Sequence, residues 1–406
     1  MVTFPQEIID LFVDFTPLKA DLKSLSLAHR SFLRRSRYHL FSTIRFIHGA
    51  NNSPLNYKST SFFKVRNEGL ALPKYLTSFR STITQNPLIV SSVRTLSLFT
   101  GYTTLETDDF PEDLPFTKLH SLQVRFARHL DLTDVLKTQK WRVPPLIRLI
   151  QTNPSLQHLA IDACSLEPSS WDTLFSNIAS LKQLHTLVLR SAVTVTSEDG
   201  DYEAQRSLSL PATPLTTKPS LRKLYVACND PELKRVAISL PHYFTITQLN
   251  VLALQCSSSG WSGQEAVLMN CGNRLVSLSI GVEFWRNNAI NVLVGAPAFS
   301  NLSHLQLTFE ACSELKIMAN WLIKERIPLR LLHLTCEKHS MIAHEIRTVD
   351  NVLLNLVTSI PSLQLIAAYV IMYEELANTK DLADILPQTF GTGKLKYRPM
   401  MKWWEV

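Results

Sequence analysis

Side chains that do chemistry leave recognisable spacings, and this chain offers few of them. His339 and His344 stand five residues apart. Two helical zinc ligands would be four apart, and no HExxH occurs. The segment "FGTGKLK" (390–396) looks like part of a phosphate-cradling loop. However, Gln388 stands where such a loop needs its first glycine, and Leu395 where it needs Ser or Thr. The six cysteines (Cys164, Cys228, Cys256, Cys271, Cys312 and Cys336) form no CxxC or CxxxC pair. A zinc site or a disulfide framework would bring them closer together. Cys164, Cys228, Cys256 and Cys336 instead follow apolar strand-like stretches, where a small buried residue fits. Asn51 and Asn301 open N-x-S triplets, which matter only in a secreted chain. The expectation is a protein with no catalytic residues, no cofactor and no metal.

The remaining residues must therefore build a surface. Of 406 residues, 45% are hydrophobic and 18% charged, with 11 glycines and 21 prolines, enough to bury a large core without low-complexity segments. No apolar run approaches the roughly 18 residues of a membrane span, and "MVTFPQEIID" lacks the basic and apolar regions of a secretory signal. A soluble chain, cytoplasmic and/or nuclear, is expected. The net charge of +7 is uneven. Residues 1–100 hold 13 Lys+Arg against 5 Asp+Glu (+8), leaving 28 against 29 (−1) in the rest. That basic start suits an acidic protein partner. No aromatic-interleaved basic stripe speaks for nucleic acid.

The strongest signal is repetition. A six-residue L-x-x-L-x-L pattern recurs as "VRTLSL" (93–98), "LHSLQV" (119–124), "LQHLAI" (156–161), "LHTLVL" (184–189) and "LRKLYV" (221–226). It continues as "LNVLAL" (249–254), "LVSLSI" (275–280), "LSHLQL" (302–307), "LRLLHL" (329–334) and a degenerate "LQLIAA" (363–368), with "FSTIRF" (41–46) as an early copy. Starts from Val93 lie 26, 37, 28, 37, 28, 26, 27, 27 and 34 residues apart. A spacing of 26–28 leaves room for a turn and a helix between parallel strands. "VDNVLLNLVTSI" (349–360) and "SSWDTLFSNIASL" (169–181) carry such helical stripes, and Pro154, Pro219 and Pro361 each open a "PSL" that ends one. The pattern predicts an α/β solenoid with an inner parallel sheet and outer helices. "KLKYRP" (394–399) suits a protected edge strand closing the array. The whole resembles leucine-rich repeats of the long kind that curve like ribonuclease inhibitor, a horseshoe.

Ahead of the repeats, residues 4–46 read "FPQEIIDLFVDFTPLKADLKSLSLAHRSFLRRSRYHLFSTIRF". Pro5 fits a first helical position, and Ile8, Ile9, Leu11, Phe12 and Phe15 make one apolar helix side. Pro17 ends that helix. Asp21 is a candidate N-cap for a second helix with Leu22, Leu25 and Leu27, and a third runs from about Ser31 to Leu40. Three short helices bury too little surface to stand alone, so part of their apolar face is expected to meet a partner. The pieces "FPQEIIDLFVDF", "DLKSLSLAHRSF" and "RRSRYHLFSTIRF" resemble an F-box, of the kind that begins many fungal F-box proteins with C-terminal leucine-rich repeats. The resemblance implies a head at 1–46, a solenoid at 47–406, and a non-catalytic receptor of an SCF-type (Skp1–cullin–F-box) ubiquitin ligase. Such a head docks a Skp1-like adaptor, and through it a cullin, while the repeats hold a target protein. By position, Phe4, Pro5, Ile8, Ile9, Phe12, Leu22 and Leu25 are the adaptor contacts. Arg34, Arg35 and Arg37 could face an acidic adaptor, act in nuclear targeting, or simply be solvated.

In each strand the leucines are expected to point into the core and the alternate residues onto the concave face. There, Arg125, Arg190, Lys223 and Tyr225 form a cationic and aromatic candidate for target binding. Two longer spacings mark inserts: 125–155, expected to add helix, and 191–219, rich in Ser, Thr and Pro, expected to be a loop. Two rival readings remain: a leucine-rich scaffold whose head only caps the solenoid, and a nucleic-acid binder using the basic head.

Overall fold

In every copy of the leucine motif from Val93 onward, a strand starts two residues into the motif. A computed structural model of the chain describes residues 5–16, 18–47, 81, 83–85, 87–100, 116–126, 143–163, 168–191, 218–228, 240–256, 267–271, 273–280, 299–309, 312–336, 343–370, 383 and 385–397. The chain divides into two compact units, 1–55 with 66–184, and 56–65 with 185–406.

The first unit opens with three helices, α1 (Gln6–Asp14), α2 (Lys19–Ala28) and α3 (Arg30–Phe41). Four parallel strands follow in chain order: β1 (Thr43–Ile47), β2 (Thr95–Thr100), β3 (Ser121–Phe126) and β4 (His158–Ala163). A short α4 (Leu88–Ser92) precedes β2, while α5 (Val143–Gln151) and α6 (Pro168–Ala179) flank β4 and pack on each other.

The second unit continues the pattern with parallel β5 (Thr186–Ser191), β6 (Lys223–Cys228), β7 (Val251–Cys256), β8 (Ser277–Ile280), β9 (His304–Phe309), β10 (Leu331–Cys336), β11 (Leu365–Val370) and β12 (Leu395–Tyr397). Helices α7 (Cys312–Lys324) and α8 (Ala343–Ser359) pack together, and a short α9 (Pro387–Gly391) packs on α8. β12 pairs with β11 at the sheet edge, where "KLKYRP" placed it.

The first residue of each motif lies just ahead of its strand and is fully buried, from Val93 to Leu363. The residue after it turns the chain into the sheet, and its carbonyl accepts two amides from the next repeat. Arg94 O takes His120 N and Ser121 N, and His185 O takes Arg222 N and Lys223 N. Likewise Arg330 O takes Gln364 N and Leu365 N. The second and third leucines, such as Leu252 and Leu254, face the same core. Successive repeats are thus tied at one rung, which fixes register: a slip of one residue would turn every leucine to the wrong face.

Helix amphipathicity supplies the other wall. Val349, Leu353, Leu356 and Val357 are buried along α8 with Ile360 just beyond it, and Leu174, Phe175 and Ile178 along α6. Phe299 meets Trp321 of α7 edge-on, with ring centroids 5.5 Å apart. Two polar residues replace regular turn chemistry. In the first unit, fully buried Asn153 accepts from Leu119 N (2.9 Å) and donates to Phe116 O and Leu149 O (2.7 and 2.9 Å). In the second, the buried carboxylate of Asp350 accepts from Gln388 N, Thr389 N and Thr389 Oγ1. It thereby caps α9 from a neighbouring helix, where the first-turn amides have no intrahelical partner.

Several expectations shift. Pro5 is the N-cap of α1 rather than its first residue. α2 starts at Lys19 behind Leu18, so Asp21 is not its cap. It sits in the first turn, where its charge faces the positive end of the helix dipole. The expected insert helix is α5, whereas residues 127–142 and 192–217 lie outside the described residues, as do Phe4, Pro17, Cys164 and His339. β1 starts at Thr43, inside the segment assigned to the head. The alternate strand residues are also less open than an exposed concave face requires. Ala227, Ala253, Gln306, His333 and Thr335 are buried. Side chains flanked by strands about 4.8 Å away on both sides leave little for water to reach.

Candidate functional site

α3 is the spine of the head. α1 and α2 each pack along it. Val13 and Leu22 are buried there, as is Ser36 of α3. Phe12 and Phe32 join α1 to α3 in a tilted ring contact at 6.3 Å. Gln6 Nε2 reaches Ser31 O at 3.0 Å. The firmest link is ionic. Arg35 holds Asp14 with two bonds, Nε to Oδ1 at 2.5 Å and Nη2 to Oδ2 at 2.8 Å, and His39 Nε2 lies 2.7 Å from Oδ1. These partners, Arg35 foremost and His39 after it, lower the Asp14 pKa to about 2. The bidentate geometry keeps Arg35 pointed at α1. The ring of Tyr38 then bridges outward, with the Arg35 guanidinium 5.1 Å and that of Arg94, at the start of β2, 5.7 Å from its centroid. Cation–π contacts of this kind fix the head on the first repeat.

What the head leaves uncovered is apolar. Ile8, Leu11, Phe12 and Phe15 follow i, i+3, i+4, i+7 spacing on α1, and each is at least half exposed, Phe15 to 82%. Leu18 (60%) and Leu27 (87%) add to it from either end of α2. Of the residues singled out as adaptor contacts, Pro5, Ile8 and Phe12 are exposed, Ile9 and Leu25 are half-buried, and Leu22 is buried inside the head. Leu11, Phe15, Leu18 and Leu27, exposed as well, were not among those singled out. Their signal was present for Leu11 and Phe15, which share the α1 stripe. Of the basic run, Arg35 is committed to Asp14, while Arg34 and Arg37 are exposed.

The second candidate lies on the strands. Arg125 lies on β3 in the first unit, and its side chain is outside the described residues. In the second unit Lys223 opens β6 opposite Thr186, whereas Arg190 pairs with Ala227 four residues farther along the strand and Tyr225 lies between. Lys223 instead keeps company with Arg222 and His185. Burial, then Arg222 and Lys223, hold the His185 pKa below its ordinary value. The reading of alternate strand positions missed Arg222 because that residue precedes the strand.

Among the described residues no group of His, Cys, Asp and Glu could hold a metal ion, and no helix is long and apolar enough to cross a membrane. Burial pushes the Cys271 thiol up to about 12, so it is not a ready nucleophile. A scan of protein families matches none to this sequence. A search of curated proteins finds no relative. Among solved structures, the chain is similar to one described as the crystal structure of a TLR13–ssRNA13 complex, at 12% identity with a TM-score of 0.19. That match covers 66% of this chain, which spans 45% of the length of the other.

Proposed function

We propose that this chain is a non-catalytic target receptor of an SCF-type ubiquitin ligase, its head an F-box that docks a Skp1-like adaptor and its leucine-rich repeats the holder of a target protein. The observation that carries the reading is the uncovered stripe Ile8–Leu11–Phe12–Phe15 with Leu18 and Leu27. A small head with this much exposed aliphatic and aromatic surface suits a protein partner. Covering each such side chain stabilises a complex by about 1–2 kcal/mol. The Asp14–Arg35 link and the Tyr38 stack support the same reading, because they would transmit the adaptor's position to the repeats without slack.

The full-length chain co-expressed with a Skp1-like adaptor is expected to co-purify as a stable complex. Phe12→Asp with Phe15→Asp is expected to abolish that complex while the far-ultraviolet circular dichroism stays unchanged. A folded wild-type chain that forms no complex removes the ligase reading. The scaffold reading has one observation in its favour: α3 already packs on α4 next to β2, as a solenoid cap would. It predicts that the double substitution changes nothing but solubility.

A further inference from the structure

The rim where strands β5–β11 begin is cationic in a specific pattern. The first residues of these strands form one rung, Thr186–Lys223–Val251–Ser277–His304–Leu331–Leu365. The residues just before them are His185, Arg222, Asn250, Val276, Ser303, Arg330 and Gln364, whose carbonyls up to Arg330 carry the paired amides of the next repeat. No Asp or Glu occupies either position in any of these strands. Arg222 and Arg330 are exposed, and among the described residues neither has a carboxylate in ion-pair reach. Lys223 adds its charge beside Arg222. The two centres also act on their neighbours. Beyond the effect of burial, Arg222 and Lys223 lower the pKa of His185, and Arg330 lowers that of His304.

Between the centres the rim is neutral: Asn250, Val251, Val276, Ser277 and Ser303. Arg222 precedes β6 and Arg330 precedes β10, four strands apart, about 19 Å at the strand spacing of a sheet. A single-stranded nucleic acid carries a phosphate at every nucleotide and is best matched by a continuous basic groove with stacking aromatics. Two cationic centres separated by neutral, partly apolar rim match a sparser anion. An extended peptide advances about 3.4 Å per residue, so carboxylates about six positions apart span a similar distance.

We infer that the N-terminal rim of β6–β10 is where an extended acidic segment of a target protein docks, one carboxylate on Arg222 and the next, about six residues on, at Arg330 beside His304. This deepens the target-holding half of the proposed function and is independent of the adaptor.

The test uses the full-length chain and labelled Gly/Ser peptides read by fluorescence anisotropy. A peptide with two glutamates about six positions apart is expected to bind at least about tenfold tighter than its lysine counterpart, and more weakly as salt rises. Arg222→Glu with Arg330→Glu is expected to abolish this preference, and placing the glutamates side by side to weaken it. Equal binding of the glutamate and lysine peptides, no binding at low salt, or indifference to the double substitution overturns the inference. A short single-stranded oligonucleotide that binds tighter than the glutamate peptide and loses affinity in the same variant overturns the peptide class. Adaptor docking without peptide binding would sink this inference alone. Peptide binding without adaptor docking would sink the ligase reading alone.

Discussion

The head and the repeats spend similar residues in opposite ways. In the second unit Leu252, Leu278, Leu305 and Leu332 are all fully shut from water, each on a strand paired with neighbours on both sides. In the head, Ile8, Leu11, Phe12 and Phe15 are just as regularly spaced, yet every one is at least half exposed. The difference lies in neighbours. A repeat has another repeat on each side to cover its apolar positions, whereas among the described elements α1 packs chiefly on α3. A surface left open by geometry, on a head held to the repeats by charge and ring contacts, is a surface with room for a second chain.

The contrast can be broken most sharply by truncation. Leu252→Ala is expected to cost about 3 kcal/mol, since it leaves a cavity in a packed core. Phe15→Ser is expected to change stability by no more than about 0.5 kcal/mol. Urea denaturation of both variants checks this, and equal losses would mean that the α1 stripe is already structural. A smaller effect, of the opposite sign, sharpens the repeat side. Arg326 ends α7 at φ 52°, with Ile327 N bonded to Leu322 O and Arg326 N to Ile323 O, the helix stop that glycine fits best. Arg326→Gly is therefore expected to raise stability by about 1 kcal/mol, measured in the same denaturation assay. The smallest effect is on the head side and depends on pH. Asp14 has a folded pKa near 2, below its unfolded value of about 4. Its contribution is fully present above pH 4 and is lost as pH falls toward 2. Hydrogen exchange in α1 should show wild-type protection falling through that window, while Asp14→Asn is flat across it.

The repeat was legible because its signal is periodic and its cause is local: leucines at fixed offsets must share a face. The structure adds that the strand begins two residues later than the motif, so that the motif's first leucine closes the turn. Helix α8 was legible for the same reason, through Val349, Leu353 and Leu356. The caps were not. Asp350 serves α9 from 38 residues away, and Asp14 meets Arg35 across the head, pairings that no local pattern encodes. Arg222 went unnoticed because reading alternate strand residues ignores the position before the strand. Leu22 was singled out by position alone, yet its packing on α3 decides its exposure. In the head, the stripe and the need for an open apolar face were legible, but which residues stay open was not, since that depends on what else packs there.

The most direct test of the docking face is calorimetry of the full-length chain titrated with a Skp1-like adaptor at several temperatures. Burial of the Ile8–Phe15 stripe predicts one-to-one binding whose enthalpy becomes more negative on warming, a negative heat-capacity change that shrinks in Leu11→Ala and Phe15→Ala. Binding with no heat-capacity change, or an unchanged one in those variants, would contradict it.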